Sequence, residues 1–388
     1  MADPFIVNQP ITTQDVVFAR ADETARKLAW RLNGEVWASP LDIDDYMEGK
    51  AAVSTHALAK DDRCIYWILA HKHDGTHIIA SCESIKKNIF IAGSENFIET
   101  TGFAIASVYT NPKYRRLGMA AFMLRKLQEF VDAESSCSAL YSDIGRSYYA
   151  ALGWDVFPSD QAIIHLHQDH FEIPGTATAR YIGMDDLPEL CAKDVNTLRA
   201  RFAKTFAHDK AKTHVAFVPD HAQISWQLER ETFVTQRIFS GERGLGGDGD
   251  KKPREIVNRG AISHCGRSWV YWVHYWREKT LKIMRFVQLD IHPQTGETVT
   301  DDQKIWDVIE LLQAAAAEGA AWGLKKVLVW SPDELLTKGI KRFHDFHENE
   351  VDVVFDERTE TSIPSLRWKG GASSADTVWE ENYYYAWS

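Results

Sequence analysis

The residues of this chain best placed to do chemistry lie in FAIASVYTNPKYRRLGMAAFML, residues 103–124. Residues 105–110 are mostly small or β-branched and predict a strand. Asn111-Pro112 breaks it. A basic turn follows, Arg115-Arg116-Leu117-Gly118-Met119-Ala120, and an apolar helix opens at once, with Met119, Phe122, Met123, Leu127 and Phe130 at helical spacing. Strand, basic turn and helix together make a seat for a polyphosphate. The first amides of a helix have no internal partner, and the helix dipole adds partial positive charge there. Gly118 and Ala120 keep side chains away, so phosphate oxygens can reach those amides.

A second segment, LYSDIGRSYYAALGW, covers residues 140–154. Residues 138–142 predict a short strand, Asp143-Ile144-Gly145 a turn, and 146–152 one or two helical turns stopped by Gly153. A phenol with its ordinary pKa of about 10 stays protonated at neutral pH and can donate that proton to a leaving group. Tyr148 reads as a packing residue of a short amphipathic helix. Tyr149, following the phosphate-type turn, is the candidate proton donor, with packing as its alternative role.

The turn Arg115-x-x-Gly118-x-Ala120 matches the R/Q-x-x-G-x-G/A signature of the GCN5-related N-acetyltransferases (GNAT), which hold acetyl-CoA by its pyrophosphate. Pro112, three residues before Arg115, also fits that family. Six residues alone recur by chance, and the preceding strand, the following helix and the downstream motif give them weight. Tyr149-Ala150-Ala151-Leu152-Gly153-Trp154 resembles the Tyr-x-x-x-Gly-aromatic pattern whose tyrosine sits beside the CoA sulfur in that family. The resemblance implies a mixed, splayed sheet with flanking helices, an α/β fold. It also implies acetyl-CoA as cosubstrate, held by Val108, Tyr109, Thr110, Arg115, Arg116, Leu117, Gly118, Met119 and Ala120, with Tyr149 as the catalytic acid. Further stretches, ISWQLERETF at 224–233, IPSLRW at 363–368 and ENYYYAW at 381–387, resemble the fungal lysine acetyltransferases, which acetylate the side-chain amine of free L-lysine in lysine degradation. That resemblance spans nearly the whole chain and implies a small-molecule amine, L-lysine, as acceptor.

Such a reaction needs a base. An amine with a pKa of about 10.4 is protonated at neutral pH and must lose a proton before it attacks a thioester. Backbone amides of a splayed strand near Val108 would then stabilise the oxyanion. Many GNAT enzymes place a glutamate on the strand that leads into the phosphate turn, but 104–110 holds no carboxylate. Glu99 lies just before it and Asp143 just beyond the neighbouring strand. Either is a candidate base, and either serves equally as a surface charge or a turn cap.

The chain has 388 residues and a formal net charge of −11, which argues against a general nucleic-acid or anionic-membrane binder and suits a cationic substrate. The five cysteines are scattered without a C-x-x-C pair, so reduced core thiols are expected rather than a disulfide framework or a thiolate metal site. His71, His73 and His77, and likewise His165, His167 and His170, lack a carboxylate at ligand spacing, and no metal is expected. No apolar run approaches the roughly 20 residues of a membrane helix. MADPFIVNQP is not a secretory signal, so the expected location is cytoplasmic. Gly244-Leu245-Gly246-Gly247-Asp248-Gly249 matches G-x-G-x-x-G, but it follows a predicted helix and leads into Asp250-Lys251-Lys252-Pro253, so it reads as a surface loop.

The elements that must position these residues follow from periodicity. Strands are expected at 5–7, 64–71, 78–85, 104–110, 138–142 and 162–167, and helices at 13–32, 42–48, 118–133 and 146–152. An interruption near 171–180 suggests two domains. Residues 1–172 would bind the cosubstrate, and residues 173–388 would form an α+β domain on the acceptor side. In the latter, helices at 186–203, 221–239 and 302–319 and strands at 255–263, 269–277, 281–290 and 326–330 echo the first domain as a degenerate copy. The aromatic run 269–276 predicts a strand buried on both faces, or an aromatic wall for a substrate. The apolar tail is expected to dock back onto the fold. Three functions fit: acetylation of free L-lysine, acetylation of another amine such as a polyamine or protein lysine, and acyl-CoA binding without catalysis.

Overall fold

The computed structural model describes residues 11–93, 96–167, 178–239 and 255–387. In chain order the first half contains β1 (Val16–Arg20), α1 (Glu23–Trp37), α2 (Ile43–Ser54), β2 (Cys64–His71), β3 (Asp74–Ala92), β4 (Phe97–Thr110), α3 (Met119–Glu134), β5 (Cys137–Ser142), α4 (Ser147–Ala150), β6 (Asp155–Val156) and β7 (Asp160–Leu166). The second half contains β8 (Arg180–Ile182), α5 (Leu187–His208), β9 (Thr213–Phe217), α6 (His221–Phe239), β10 (Gly260–Ile262), β11 (Ser268–Tyr275), β12 (Thr280–Gln288), α7 (Asp301–Ala321), β13 (Lys326–Trp330), α8 (Glu334–Phe346), β14 (Val351–Glu357), β15 (Ile363–Trp368) and β16 (Thr377–Trp379).

Two mixed sheets result. One runs β1-β2-β3-β4-β5-β15-β6, with β9 and β16 attached beyond β3. The other runs β14-β7-β13-β12-β11-β10-β8. Their centres repeat one plan. The antiparallel pair β3–β4 is followed by α3 and by β5, parallel to β4. The antiparallel pair β11–β12 is followed by α7 and by β13, parallel to β12. The sheets also exchange a strand each. β15, from the end of the chain, lies antiparallel between β5 and β6. β7, from the first half, lies antiparallel between β13 and β14.

The expected helix at 13–32 is a strand followed by a helix. Val16-Val17-Phe18 pairs with β2, and Asp22 ends that run by accepting the Ala25 amide at 2.8 Å, which starts α1. Gly34 does not stop α1, which continues to Trp37. α2 starts at its Asp42 cap as expected but runs on to Ser54. The strand expected at 255–263 shrinks to β10. The segment 5–7, the boundary residues 171–177, the 244–249 glycine loop and His170 lie outside the described residues.

β11 is buried on both faces, as a central strand under two layers must be. The tail docks back: Tyr384, Tyr385 and Ala386 are buried, and Tyr385 donates its hydroxyl to the Phe217 carbonyl at 2.5 Å.

Candidate active site

β4 and β5 part company. They pair only from Phe103 opposite Ser138 to Ile105 opposite Leu140, although β4 continues to Thr110 and β5 to Ser142. At the same level β4 carries a bulge. Ser81 faces Tyr109 and Glu83 faces Ala106, so Cys82 alone spans Ser107 and Val108. Ser107 takes a φ of 51°, a left-handed conformation costing a non-glycine residue about 1–2 kcal/mol. Beyond Ile105 the backbone of β4 has no partner on β5 and faces a notch, while Tyr109 and Thr110 stay paired with β3.

The basic turn stands at the end of β4. Asn111 accepts the Lys113 amide at 3.1 Å and begins a short 3-10 turn, Pro112–Tyr114. Arg116 and Gly118 then take φ values of 63° and 75°. Gly118 is the N-cap of α3 and provides no side-chain acceptor, so the first amides of the helix stay open. A Cβ at Gly118 would meet nothing within 4 Å, so the positive φ, not crowding, calls for glycine. Residues 115–118 are exposed, and Met119 is buried and anchors the helix. Arg115 donates its Nε hydrogen to the Thr110 carbonyl at 3.1 Å and lies 5.9 Å from the Tyr109 ring centroid. The structure thus gathers Val108, Tyr109, Thr110 and residues 115–120 around the end of one strand.

Tyr149 comes to the notch from the other side, buried against Tyr148 and Trp154 with edge-on rings at 5.2 and 6.3 Å. Burial pushes its hydroxyl pKa well above the usual value, which keeps it protonated. Tyr148 is half-buried beside it.

Tyr149, Ser107 and Val108 line a cleft of about 540 Å³. Its other walls come from the end of α1, from α2, from one face of α6, from the end of β11 and from the C-terminal segment. The aromatic run contributes Tyr275 and Trp276 to this cleft, so the buried strand also ends in an aromatic wall. Charge in the cleft is organised. Lys50 Nζ lies 2.5 Å from Glu83 Oε1, and both side chains are largely buried. Glu231 accepts from Arg259 and from the His274 ring, whose other nitrogen lies 3.2 Å from Glu318.

The two candidate bases separate. Glu99 is held by Arg199 through Nε at 2.6 Å and a second nitrogen at 3.1 Å, and it does not line the cleft. Asp143 does line it, and one of its oxygens accepts the Ser362 amide at 2.9 Å. Sequence reasoning passed over Glu83. Its signal was a lone carboxylate within Ile79-Ala80-Ser81-Cys82-Glu83-Ser84-Ile85, a strand that is otherwise apolar or small. Lys50 and Arg230 were missed as well, because ordinary helix positions give no motif.

Among the described residues no group of three or more His, Cys, Asp or Glu could hold a metal ion. The His71 ring lies 5.6 Å from that of His73 and 6.1 Å from that of His77, and His77 bonds to Tyr114. No helix among the described residues is long and apolar enough to cross a membrane.

A splayed strand, an open helix N-terminus and a buried tyrosine at one notch define an acyltransferase-type α/β fold. A family model described as LYC1 GNAT-like C-terminal domain matches residues 164–388, more than half of the chain, and one described as Acetyltransferase (GNAT) family matches residues 23–154. The chain therefore belongs to the GNAT acetyltransferase family, with the LYC1 GNAT-like C-terminal domain, and both halves are GNAT-like. No curated protein matches it. Among solved structures it is similar to a GCN5-related N-acetyltransferase from Anabaena variabilis, with TM-score 0.51 and 13% identity over 92% of this chain and 73% of that one. It is also similar to Saccharomyces cerevisiae N-myristoyltransferase with bound myristoyl-CoA, with TM-score 0.52 and 9% identity over 92% and 79%. At such identities the likeness is one of fold.

Proposed function

We propose that the protein transfers the acetyl group of acetyl-CoA to the amine of a small molecule, and that this molecule is free L-lysine. The observation that carries the reading is the parting of β4 from β5 beside a charged cleft lined by Ser107, Val108 and Tyr149, with β4 leading along the chain into the open end of α3. Residues 1–172 hold the cosubstrate, and residues 173–388 add α6, the end of β11 and the C-terminal segment to the acceptor side of the cleft. The pyrophosphate rests on the amides of residues 118–120 and on Arg115 and Arg116. The pantetheine arm follows Val108–Thr110 into the notch.

The acceptor arrives as an ammonium and is drawn to Glu83, which takes one proton directly or through water. The neutral amine attacks the thioester carbon. The unladdered amides beside Val108 steady the oxyanion. When the carbon–sulfur bond breaks, Tyr149 gives its proton to the thiolate and recovers one from the newly formed amide nitrogen. The balance is one ammonium and one thioester giving one amide, one thiol and one proton. A CoA-release assay against amino acids, polyamines and lysine peptides tests the reading. Strong preference for L-lysine supports it, and equal turnover of a lysine peptide overturns the free-amino-acid assignment. The acidic chain and the deep cleft favour a small cation over a protein lysine.

A further inference from the structure

Most buried or half-buried arginines in this protein have a carboxylate. Arg259 has Glu231, Arg267 has Asp307, Arg285 has Asp194 and Glu381, and Arg367 has Asp132. Arg26, Arg63, Arg358 and Arg230 do not, and of these four Arg230 lines the cleft. Arg230 sits half-buried on α6 and has no carboxylate or hydrogen-bond partner among the described residues. Its guanidinium lies 5.5 Å from the Trp387 ring centroid. Trp387 stacks on Tyr384 at 5.5 Å, and Lys282 Nζ lies 5.1 Å from the Tyr384 ring. Two cations are thus held against one stacked aromatic pair, inside a cleft of an acidic protein. Arg230 keeps part of its surface open to the cleft and has no anion there, whereas Lys282 Nζ lies 3.2 Å from a Glu278 carboxylate oxygen.

We propose that Arg230 is the seat of a carboxylate on the acceptor, so that the acceptor is an amino acid whose reacting amine points to Glu83. This rests on the acyl-transfer reading above and gives it a substrate class. Glu83, Tyr46 and Arg230 line the same cleft. A substrate with an amine at one end and a carboxylate at the other matches that polarity. A guanidinium fork offers the carboxylate paired hydrogen bonds. An analogue without the carboxylate leaves the guanidinium unpaired and is rejected.

The test compares L-lysine, L-lysinamide and cadaverine as acceptors for the full-length protein, with wild type, Arg230→Met and Arg230→Lys. Wild type should prefer L-lysine. Arg230→Met should lower its kcat/KM for L-lysine about 10- to 100-fold, chiefly through KM, which is the scale of a lost charge-assisted hydrogen bond. The loss should not extend to lysinamide or cadaverine, and Arg230→Lys should restore part of the preference. Calorimetry of acetyl-CoA, and of L-lysine on the CoA-loaded protein, separates folding and binding from turnover. Equal losses for all three acceptors would overturn the carboxylate seat and leave acyl transfer standing. Arg230-dependent lysine binding with no CoA release would keep the seat and overturn the transfer reading.

Discussion

Lys50 Nζ and Glu83 Oε1 lie 2.5 Å apart on the wall of the cleft, one strand over from the bulge at Ser107. In the proposed reaction Glu83 takes the proton of the incoming amine. Glu83→Gln keeps the shape and removes the acceptor of that proton. It should lower kcat by roughly 10²- to 10⁴-fold while acetyl-CoA affinity, measured by calorimetry, stays the same. Unimpaired turnover would move the base to Asp143 or to water. Both changes break a buried ion pair and should cost stability; Lys50→Met, which leaves a buried carboxylate unpaired, should cost about 3–5 kcal/mol, and Glu83→Gln, which keeps an amide oxygen for Lys50, should cost less.

Tyr149→Phe deletes one hydroxyl and keeps the ring contacts to Tyr148 and Trp154. If that hydroxyl protonates the leaving thiolate, kcat should fall by about 10²-fold or more, with little change in acetyl-CoA binding. Burial raises the Tyr149 pKa, so its ionisation should put no alkaline limb on the pH–rate profile near the ordinary tyrosine value of about 10. Full activity in the Phe variant would make Tyr149 a packing residue.

Two substitutions at Gly118 separate strain from charge. Gly118→Ala adds a methyl with nothing within 4 Å, so it should cost only about 1–2 kcal/mol for a non-glycine residue at positive φ. Gly118→Asp adds a carboxylate at the helix N-terminus proposed for the pyrophosphate and should weaken acetyl-CoA far more than the alanine does. Titration calorimetry of both variants decides the point, and equal affinities would remove the turn from the binding site.

Much of this arrangement was legible in the sequence, and the losses have physical causes. Cys64–His71, His221–Phe239 and Lys326–Trp330 fall where periodicity predicts them, since each buries a regular face. The turn 115–120 was readable as a break before a helix because the signal is local, and Gly118 is the N-cap of α3. The 13–32 expectation failed because one helical stripe was drawn through Asp22, whose capping bond marks the change from strand to helix. β15 was quoted as a peptide but not foreseen as the strand between β5 and β6, because its partners are more than 200 residues away. Glu83 and Arg230 share a cleft through tertiary packing alone, and no spacing along the chain encodes it.

The wall of the cleft carries a pH dependence. Burial alone would push the His274 imidazole down, but Glu231 and Glu318, both bonded to it, outweigh burial and hold its pKa above the usual value. A raised folded pKa contributes stability in full below the unfolded value of about 6.5 and loses it as pH rises through the folded value. Burial likewise pushes Glu318 up, but hydrogen bonds from His274, Asn258 and Trp322 outweigh it, so that contribution is lost as pH falls below the usual carboxylate range. Thermal melting should therefore show a Tm declining from about pH 6.5 upward. His274→Asn should be less stable at pH 6.5, with a flatter decline. Parallel curves for the two proteins would show that His274 is neutral in the fold.

The exchanged strands set the last expectation. β15 runs from Ile363 opposite Ser142 to Trp368 opposite Cys137, and on its other edge it carries β6 through Ser365 and Leu366. Arg367 adds two bonds to Asp132 of α3, at 2.5 and 2.9 Å. Without β15, the first sheet would end on an open β5 edge, and β6, two residues long, is too short to cover it. β7 would meanwhile lose both of its neighbours, β13 and β14. Residues 1–172 expressed alone should therefore aggregate or lack a cooperative melt, and should not bind acetyl-CoA. Co-expression with residues 173–388 should restore both sheets and binding, because each fragment returns the strand the other lacks. A fragment of residues 1–172 that melts cooperatively and binds acetyl-CoA like the full chain would show that the exchange is dispensable.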